Sequence, residues 1–312
     1  MSFNILVTGG AGYIGSILVP ELLKNGHAVT VLDNFMYKQN SLAQLCNHTN
    51  FNIFNGDIRV GDTIKPLLKN ADIVIPLAAY VGAPICSKDP VGASTVNKDA
   101  IKMMLSSLSK EQKVLMPTTN SAYGSGDENN YCTEESELNP ISQYAVEKVE
   151  IEKVLLDHEL AISFRLATVF GMSLKMRIDL LVNDFVYRAV NDRFVVLFES
   201  HFKRNYLHVR DVTRAFVHGI DNFDSMKGEI YNVGLSDTNI SKKELCERIQ
   251  KYVKDFIFLE EELGKDPDQR NYIVSNVKIE KTGFKTKYSL DDGIQELIKG
   301  YQMIKQHGYS NV

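Results

Sequence analysis

The tightest constraint on this chain lies at its start. The apolar run Ile5-Leu6-Val7 passes directly into Thr8-Gly9-Gly10-Ala11-Gly12-Tyr13-Ile14-Gly15, and residues 16–25 continue at helical spacing. A buried strand, a glycine-rich turn and a helix in that order leave few folds open. Gly9, Gly12 and Gly15 form G-x-x-G-x-x-G. One glycine permits the turn, another lets a pyrophosphate approach the backbone, and the third lets helix and strand pack closely. The helix N-terminus adds N–H donors and partial positive charge, so the loop with Tyr13 and Ile14 reads as a dinucleotide cradle. Asp33 ends the next apolar run, 18 residues after Gly15. A carboxylate there accepts hydrogen bonds from ribose hydroxyls and repels a 2′-phosphate, which selects NAD over NADP. The following Asn34 and Phe35 bring no Arg to offset that repulsion.

Alternation extends the pattern. Strands are expected at 28–32, 51–54, 73–75, 113–116 and 162–166, with helices near 62–69, 97–108 and 143–158. Such an order implies right-handed crossovers and a doubly wound parallel sheet with helices on both faces. After Gly171 the rhythm breaks. Helices are expected at 179–190, 209–220, 241–253 and from Ser289 to about 305, with strands at 194–198, 229–233 and 256–259. The expected fold is therefore α/β. A dinucleotide domain covers 1–170, with return segments near 205–232, and a smaller α/β substrate lobe covers 171–312. No Pro/Gly/Ser-rich linker separates them, so a shared cleft is expected.

Composition narrows the class. A net charge of -4 with both signs scattered carries no footprint for nucleic acid or a membrane surface. The four cysteines lack C-x-x-C spacing and no His stands at zinc spacing from them, so no metal is expected. The first residues lack the basic stretch of a signal peptide, and the longest apolar run, 73–86, is broken by Pro76 and Pro84. A cytoplasmic enzyme is expected.

Tyr144 and Lys148 lie four apart on the helix expected between the fifth and sixth strands, so they share a face. An ammonium beside a phenol favours the phenolate and lowers its pKa. Such a Tyr can take a proton from a hydroxyl while hydride leaves the same carbon.

With these residues in place the sequence resembles the extended short-chain dehydrogenase/reductases, the nucleotide-sugar epimerase/dehydratase family. Its landmarks span nearly the whole chain: 8–15, Asn55-Gly56-Asp57-Ile58-Arg59, Leu77-Ala78-Ala79, 118–124, Tyr144-x-x-x-Lys148, 165–171, 204–211 and Tyr231-Asn232-Val233-Gly234. The resemblance implies a Rossmann-type NAD domain, a nucleotide-sugar substrate and a homodimer or homotetramer. By position it places Asp57 and Ile58 at the adenine and Ala78, Ala79 and Asn97 along the cofactor. It places Thr119 at the reacting hydroxyl, beside Tyr144 and Lys148. Arg204 and Arg270 suit a substrate diphosphate because guanidinium forks match phosphate oxygens; an ion pair with Asp211 or Asp268 is the plainer role. Asn183 and Arg177 are further substrate candidates, although Asp179 stands ready to pair with Arg177. His208 and Asp211 are expected to fix packing between the lobes.

Departures from the family pattern narrow the reaction. The 4,6-dehydratases place Asp-Glu directly after the catalytic Thr, and the decarboxylases use a Glu there. Here those places hold Asn120 and Ser121, and no Cys serves as a 3,5-epimerase acid. Hydride and proton removal at one carbon, C4 by resemblance, remains. The outcome is a 4-epimerase if hydride returns and a dehydrogenase if it does not. Residues 77–84 and 176–185 are similar to GDP-heptose 4-dehydrogenases of bacterial capsule pathways. A non-catalytic NAD sensor on the same fold would usually lose Tyr144 or Lys148, and this chain keeps both.

Overall fold

The structure, a computed structural model, describes residues 1–125, 130–261 and 270–304. Its strands are β1 (Asn4–Thr8), β2 (Ala28–Asp33), β3 (Phe51–Asn55), β4 (Ile73–Pro76), β5 (Lys113–Thr119), β6 (Ala161–Leu166), β7 (Thr168–Phe170), β8 (Phe194–Phe198), β9 (Lys203–His208), β10 (Glu229–Val233), β11 (Asn239–Ser241) and β12 (Ile257–Glu261). Seven of them pair in parallel in the order β10-β6-β5-β4-β1-β2-β3. The helices α1 (Gly15–Lys24), α2 (Gly61–Leu68), α3 (Ala83–Lys88), α4 (Pro90–Ser94), α5 (Ala100–Ser106) and α6 (Gln143–Leu156) connect the first six strands. This is the Rossmann-type α/β fold that the alternation implies.

Successive side chains of a strand face opposite ways, and the sheet has a core on each side. Ile5 and Val7 of β1 join one core with Leu18 and Leu22 of α1, while Leu6 joins the other with Ile64 of α2 and Ile151 of α6. β1 pairs with β2 on one edge and β4 on the other, so the strand order reverses at its C-terminal end. A crevice opens at such a switch point.

The rest of the chain adds α7 (Leu181–Asn191), α8 (Val209–Asp221), α9 (Phe223–Met226), α10 (Lys242–Gln250), α11 (Val277–Lys281) and α12 (Leu290–Gly300). β11-β9-β7 form a three-stranded sheet and β12-β8 a two-stranded one. Their core, with Val186 of α7, Leu245 of α10 and Ile294 of α12, also takes in Tyr13 from the glycine loop. Val212, Ala215 and Phe216 of α8 pack into the core that holds α1, and β10 closes the large sheet beside β6.

Several elements differ from the sequence expectation. The return to the large sheet begins at Val209, because β9 pairs with β7 and β11 instead. The helix expected at 97–108 starts as a π-turn, Thr95–Asp99, before α5. The short α3 and α4 were not anticipated; each has a Pro in its first turn, a position that tolerates the missing N–H. α12 ends at Gly300, and residues 305–312 lie outside the described residues.

Candidate active site

One cleft of about 890 Å³ runs from the glycine loop past Tyr144 to Arg270. At its floor the backbone of the turn dictates residue choice. Gly9 has φ +67°, and a Cβ there would lie 2.5 Å from the Ala78 nitrogen, so β1 and β4 come together only over glycine. Gly12 lines the cleft and leaves its backbone open to a ligand. Gly15 opens α1, where a Cβ would meet the Gly10 carbonyl oxygen at 2.3 Å.

Asp33 is buried at the end of β2 and lines the cleft. Its carboxylate accepts from the backbone N–H of Ala11 at 3.0 Å and of Phe35 at 2.8 Å, and from Gln39 Nε2 at 3.3 Å. Burial raises its pKa, and the two backbone bonds oppose that shift. Gln39 Oε1 is buried beside it without a partner, an acceptor suited to a ribose hydroxyl. Tyr13, Ile14, Asn34, Asp57, Ile58, Ala78 and Ala79 also line the cleft. The Asp57 carboxylate is held by Arg59 at 2.6 Å, which lowers its pKa. These residues fit a dinucleotide.

Asn97 departs from expectation. It is fully buried and does not line the cleft; its Oδ1 accepts from Tyr80 N at 2.8 Å and its Nδ2 donates to Tyr80 O at 3.0 Å. Its role is to clamp the loop after β4, which does line the cleft. Asn183 departs likewise. Its Oδ1 accepts from Gly171 N at 3.0 Å, and its Nδ2 donates to Arg177 O at 2.9 Å and Tyr13 OH at 3.3 Å. It is 0% exposed, stands outside the cleft lining and joins residues 171 and 177 to Tyr13.

Thr119 ends β5, and Tyr144 and Lys148 project from α6, which Ser142 caps by accepting from Ala145 N at 3.3 Å. All three line the cleft. Lys148 Nζ donates to the Pro117 carbonyl at 3.4 Å. The electrostatics differ from the sequence expectation. Burial pushes the Tyr144 phenol up to about 12 and Cys86 adds to that; the charges that oppose it are Arg177 and Arg270. Burial also brings the Lys148 ammonium down to about 8, against the pull of Cys86 and Glu147. The protein alone therefore holds Tyr144 as a neutral phenol, and Arg177 and Arg270, on the substrate side, favour its ionised form.

That side carries Lys175, Arg177, Arg204, Lys242 and Arg270. Arg177 pairs with Asp179, as its neighbour suggested, and its Nη2 also donates to Val81 O at 3.2 Å. Arg204 is 2% exposed, donates from Nη1 to Lys203 O at 2.9 Å and lies 5.8 Å from the Tyr272 ring centre, so it is no surface residue. Asp211 pairs instead with Arg214 and accepts from the Lys287 and Tyr288 N–H groups. His208 bonds Glu296 at 2.6 Å, so both residues tie β9 and α8 to the C-terminal segment. Arg270 Nη1 donates to Ser121 Oγ. Asp268 lies outside the described residues.

Residues 171–179 bridge the two walls. Tyr13 OH donates to Gly171 O at 2.6 Å, Ser173 Oγ meets Ser16 Oγ at 2.7 Å, and Lys175 Nζ sits 4.5 Å from the Tyr37 ring centre. Tyr37, Lys175, Lys242 and Tyr272 line the cleft without any sequence signal for it, and Ser121 lines it at the place where the resemblance puts a dehydratase acid or base. They stand in loops, at a helix start or beside a strand end, where no periodicity reports which way a side chain turns. Among the described residues no His/Cys/Asp/Glu cluster could hold a metal, and no helix is long and apolar enough to cross a membrane.

Known proteins are similar to this chain in sequence and fold. The chain is 27% identical to the low-salt glycan biosynthesis protein of Haloferax volcanii, covering 96% of this chain and 98% of that one. It is 28% identical to the dTDP-glucose 4,6-dehydratase of Streptomyces niveus, covering 96% and 93%. The UDP-glucuronic acid 4-epimerase of Bacillus cereus, solved with UDP-glucuronic acid and NAD, superposes with TM-score 0.85 at 24% identity over 96% of this chain and 99% of that one. The model of the NAD dependent epimerase/dehydratase family matches residues 5–234. This chain therefore belongs to the NAD dependent epimerase/dehydratase family, with NAD as its cofactor.

Proposed function

We propose that this enzyme oxidises one sugar carbon of a nucleotide sugar, C4 by resemblance, and returns the hydride to it, as a nucleotide-sugar 4-epimerase does. The observation that carries the reading is the meeting of Tyr144, Lys148 and Thr119 on one cleft with Arg177, Arg204 and Arg270 beyond them. NAD, when bound, supplies the hydride acceptor and then the donor. Tyr144 as phenolate takes the proton of the reacting hydroxyl. Thr119 donates its hydroxyl proton to that oxygen once the Ser121 hydroxyl turns to donate to Thr119 Oγ1, and Lys148, on the same face of α6, adds an ammonium that favours the phenolate. Arg204 and Arg270 anchor the diphosphate.

One observation favours return of the hydride and a second speaks against dehydration. The bridge at 171–179 ties the substrate lobe to the glycine loop at Tyr13 and Ser16 and to the Tyr37 loop, and a cofactor retained between turnovers is expected from it. The positions where dehydratases hold their acid and base carry Asn120, fully buried, and Ser121, neither of which ionises. A GDP-manno-heptose 4-dehydrogenase giving a 4-keto sugar is the second reading. It rests on segments 77–84 and 176–185, which meet where Arg177 bonds Val81 O. The reading takes residues 1–170 as the NAD domain and 171–312 as the substrate lobe of a cytoplasmic homodimer or homotetramer.

The test offers UDP-glucose, UDP-glucuronic acid, GDP-mannose and GDP-manno-heptose to the purified protein. Epimer formation without net NADH supports the first reading, and stoichiometric NADH with a trappable ketone supports the second. Turnover that survives Tyr144→Phe removes Tyr144 from the mechanism and both readings with it.

A further inference from the structure

Ser121 is 4% exposed and lines the cleft two residues past Thr119. Thr119 Oγ1 donates to Ser121 Oγ at 2.9 Å and accepts from the Ser121 N–H at 3.1 Å, capping the turn that follows β5. Arg270 Nη1, from 149 residues further along the chain, donates to the same Ser121 Oγ. Both lone pairs of one serine oxygen are thus used, one by the hydroxyl placed at the reacting carbon and one by the guanidinium placed at the diphosphate. Thr119 is itself 8% exposed, so water competes weakly for these bonds.

We propose that Ser121 is a positioning residue that transmits diphosphate anchoring on Arg270 to the Thr119 hydroxyl. The inference rests on the function proposed above and adds a link within that site. A guanidinium is planar and carries five N–H donors in a fixed fork. Phosphate oxygens that take other donors of Arg270 orient the whole plane, and with it the N–H that reaches Ser121. With substrate bound the Ser121 hydroxyl turns to donate to Thr119 Oγ1, which frees the Thr119 proton for the reacting oxygen, and bonds in such a chain strengthen one another. A sugar lacking the distal phosphate and nucleoside leaves the guanidinium less well oriented and the Thr119 hydroxyl less well aimed.

The experiment compares wild type with Ser121→Ala on whichever of the four nucleotide sugars above turns over best, and on its sugar 1-phosphate. Ser121→Ala is expected to lower kcat on the nucleotide sugar about 10-fold, the scale of one hydrogen bond with a charged partner, with KM within about 2-fold. On the sugar 1-phosphate the two enzymes are expected to agree within about 2-fold. Arg270→Lys is expected to lose no further kcat when Ser121→Ala is added. Ser121→Thr, which keeps the hydroxyl, is expected to recover most of the rate. Equal slowing on both substrates, a change in KM alone, or losses that multiply in the double variant overturn the proposal. Unaltered NAD binding and Tm in Ser121→Ala separate a lost link from a misfolded site; if that variant does not fold, the Arg270→Lys and Ser121→Thr comparison on the two substrates decides. Wild type that turns over no nucleotide sugar overturns the parent function, whereas turnover lost in Tyr144→Phe with no Ser121 effect overturns the link alone.

Discussion

Glu152 of α6 holds Arg165 of β6 in an ion pair 2.6 Å long, with both side chains under 5% exposed. The same carboxylate accepts from Thr118 Oγ1 at 2.8 Å and from Ser163 Oγ at 2.7 Å. One residue thus pins the helix that carries Tyr144 and Lys148 to the strand that ends in Thr119. Arg165 continues the network to Tyr123 OH at 3.0 Å, and Tyr123 OH bonds Asn232 Oδ1 of β10 at 2.7 Å.

Removing one partner of a buried pair leaves the other charge uncompensated, at a cost of about 3–5 kcal/mol. Glu152→Ala is therefore expected to lose about that much stability in urea unfolding. Glu152→Gln, which keeps the shape, is expected to lose less. A loss under about 1 kcal/mol for Glu152→Ala contradicts the pairing.

The pH dependence follows from two opposed shifts. Tyr144 acts ionised and sits at about 12, while Lys148 acts protonated and sits at about 8. Below pH about 8 Lys148 keeps its proton, and each pH unit yields about tenfold more phenolate. Above about 8 each unit that yields phenolate removes as much ammonium. The log of kcat/KM for alcohol oxidation is expected to rise with unit slope and bend to a plateau at about 8. In Lys148→Met the bend is expected to vanish and the rate at neutral pH to fall. A profile of Lys148→Met that bends at the wild-type pH removes Lys148 as its cause.

Asp33 is expected to set cofactor choice. Asp33→Asn keeps the shape and removes the charge that excludes a 2′-phosphate. NAD affinity is expected to fall about 10-fold, from weaker bonds to the ribose, while NADP gains relative to NAD. Fluorescence titration of both cofactors checks this, and an unchanged NAD-to-NADP ratio counts against the assignment.

Gly9 tests the floor of the cleft. With φ +67° and only 2.5 Å to the Ala78 nitrogen, Gly9→Ala forces β1 and β4 apart. Destabilisation of about 1–3 kcal/mol is expected, together with loss of NAD binding. Calorimetric titration of a folded Gly9→Ala that binds NAD like wild type would show that the close approach is dispensable.

Much of this architecture was legible along the chain because it is written locally. The strand–loop–helix at 5–24, the i,i+4 pair Tyr144 and Lys148, and the apolar runs of β1 and β4 each follow from periodicity over a few residues. The three-stranded sheet was not legible. β9 reads Lys-Arg-Asn-Tyr-Leu-His, yet its last five residues are buried, with partners distant in the chain for the Asn205 amide nitrogen and the His208 ring.

Local order alone determined the parallel sheet, the dinucleotide loop and the helix face that carries the phenol, since each depends on the spacing of residues close in sequence. Only the folded chain decided which side chains reach the cleft. Asn97 and Asn183 turned inward to bond Tyr80 and Gly171. Arg177 and Arg270 became the cations that act on Tyr144. Ser121 came between Thr119 and Arg270. The reason is physical: a buried polar group takes whatever partner the packing brings near, and desolvation, not sequence spacing, then sets its charge.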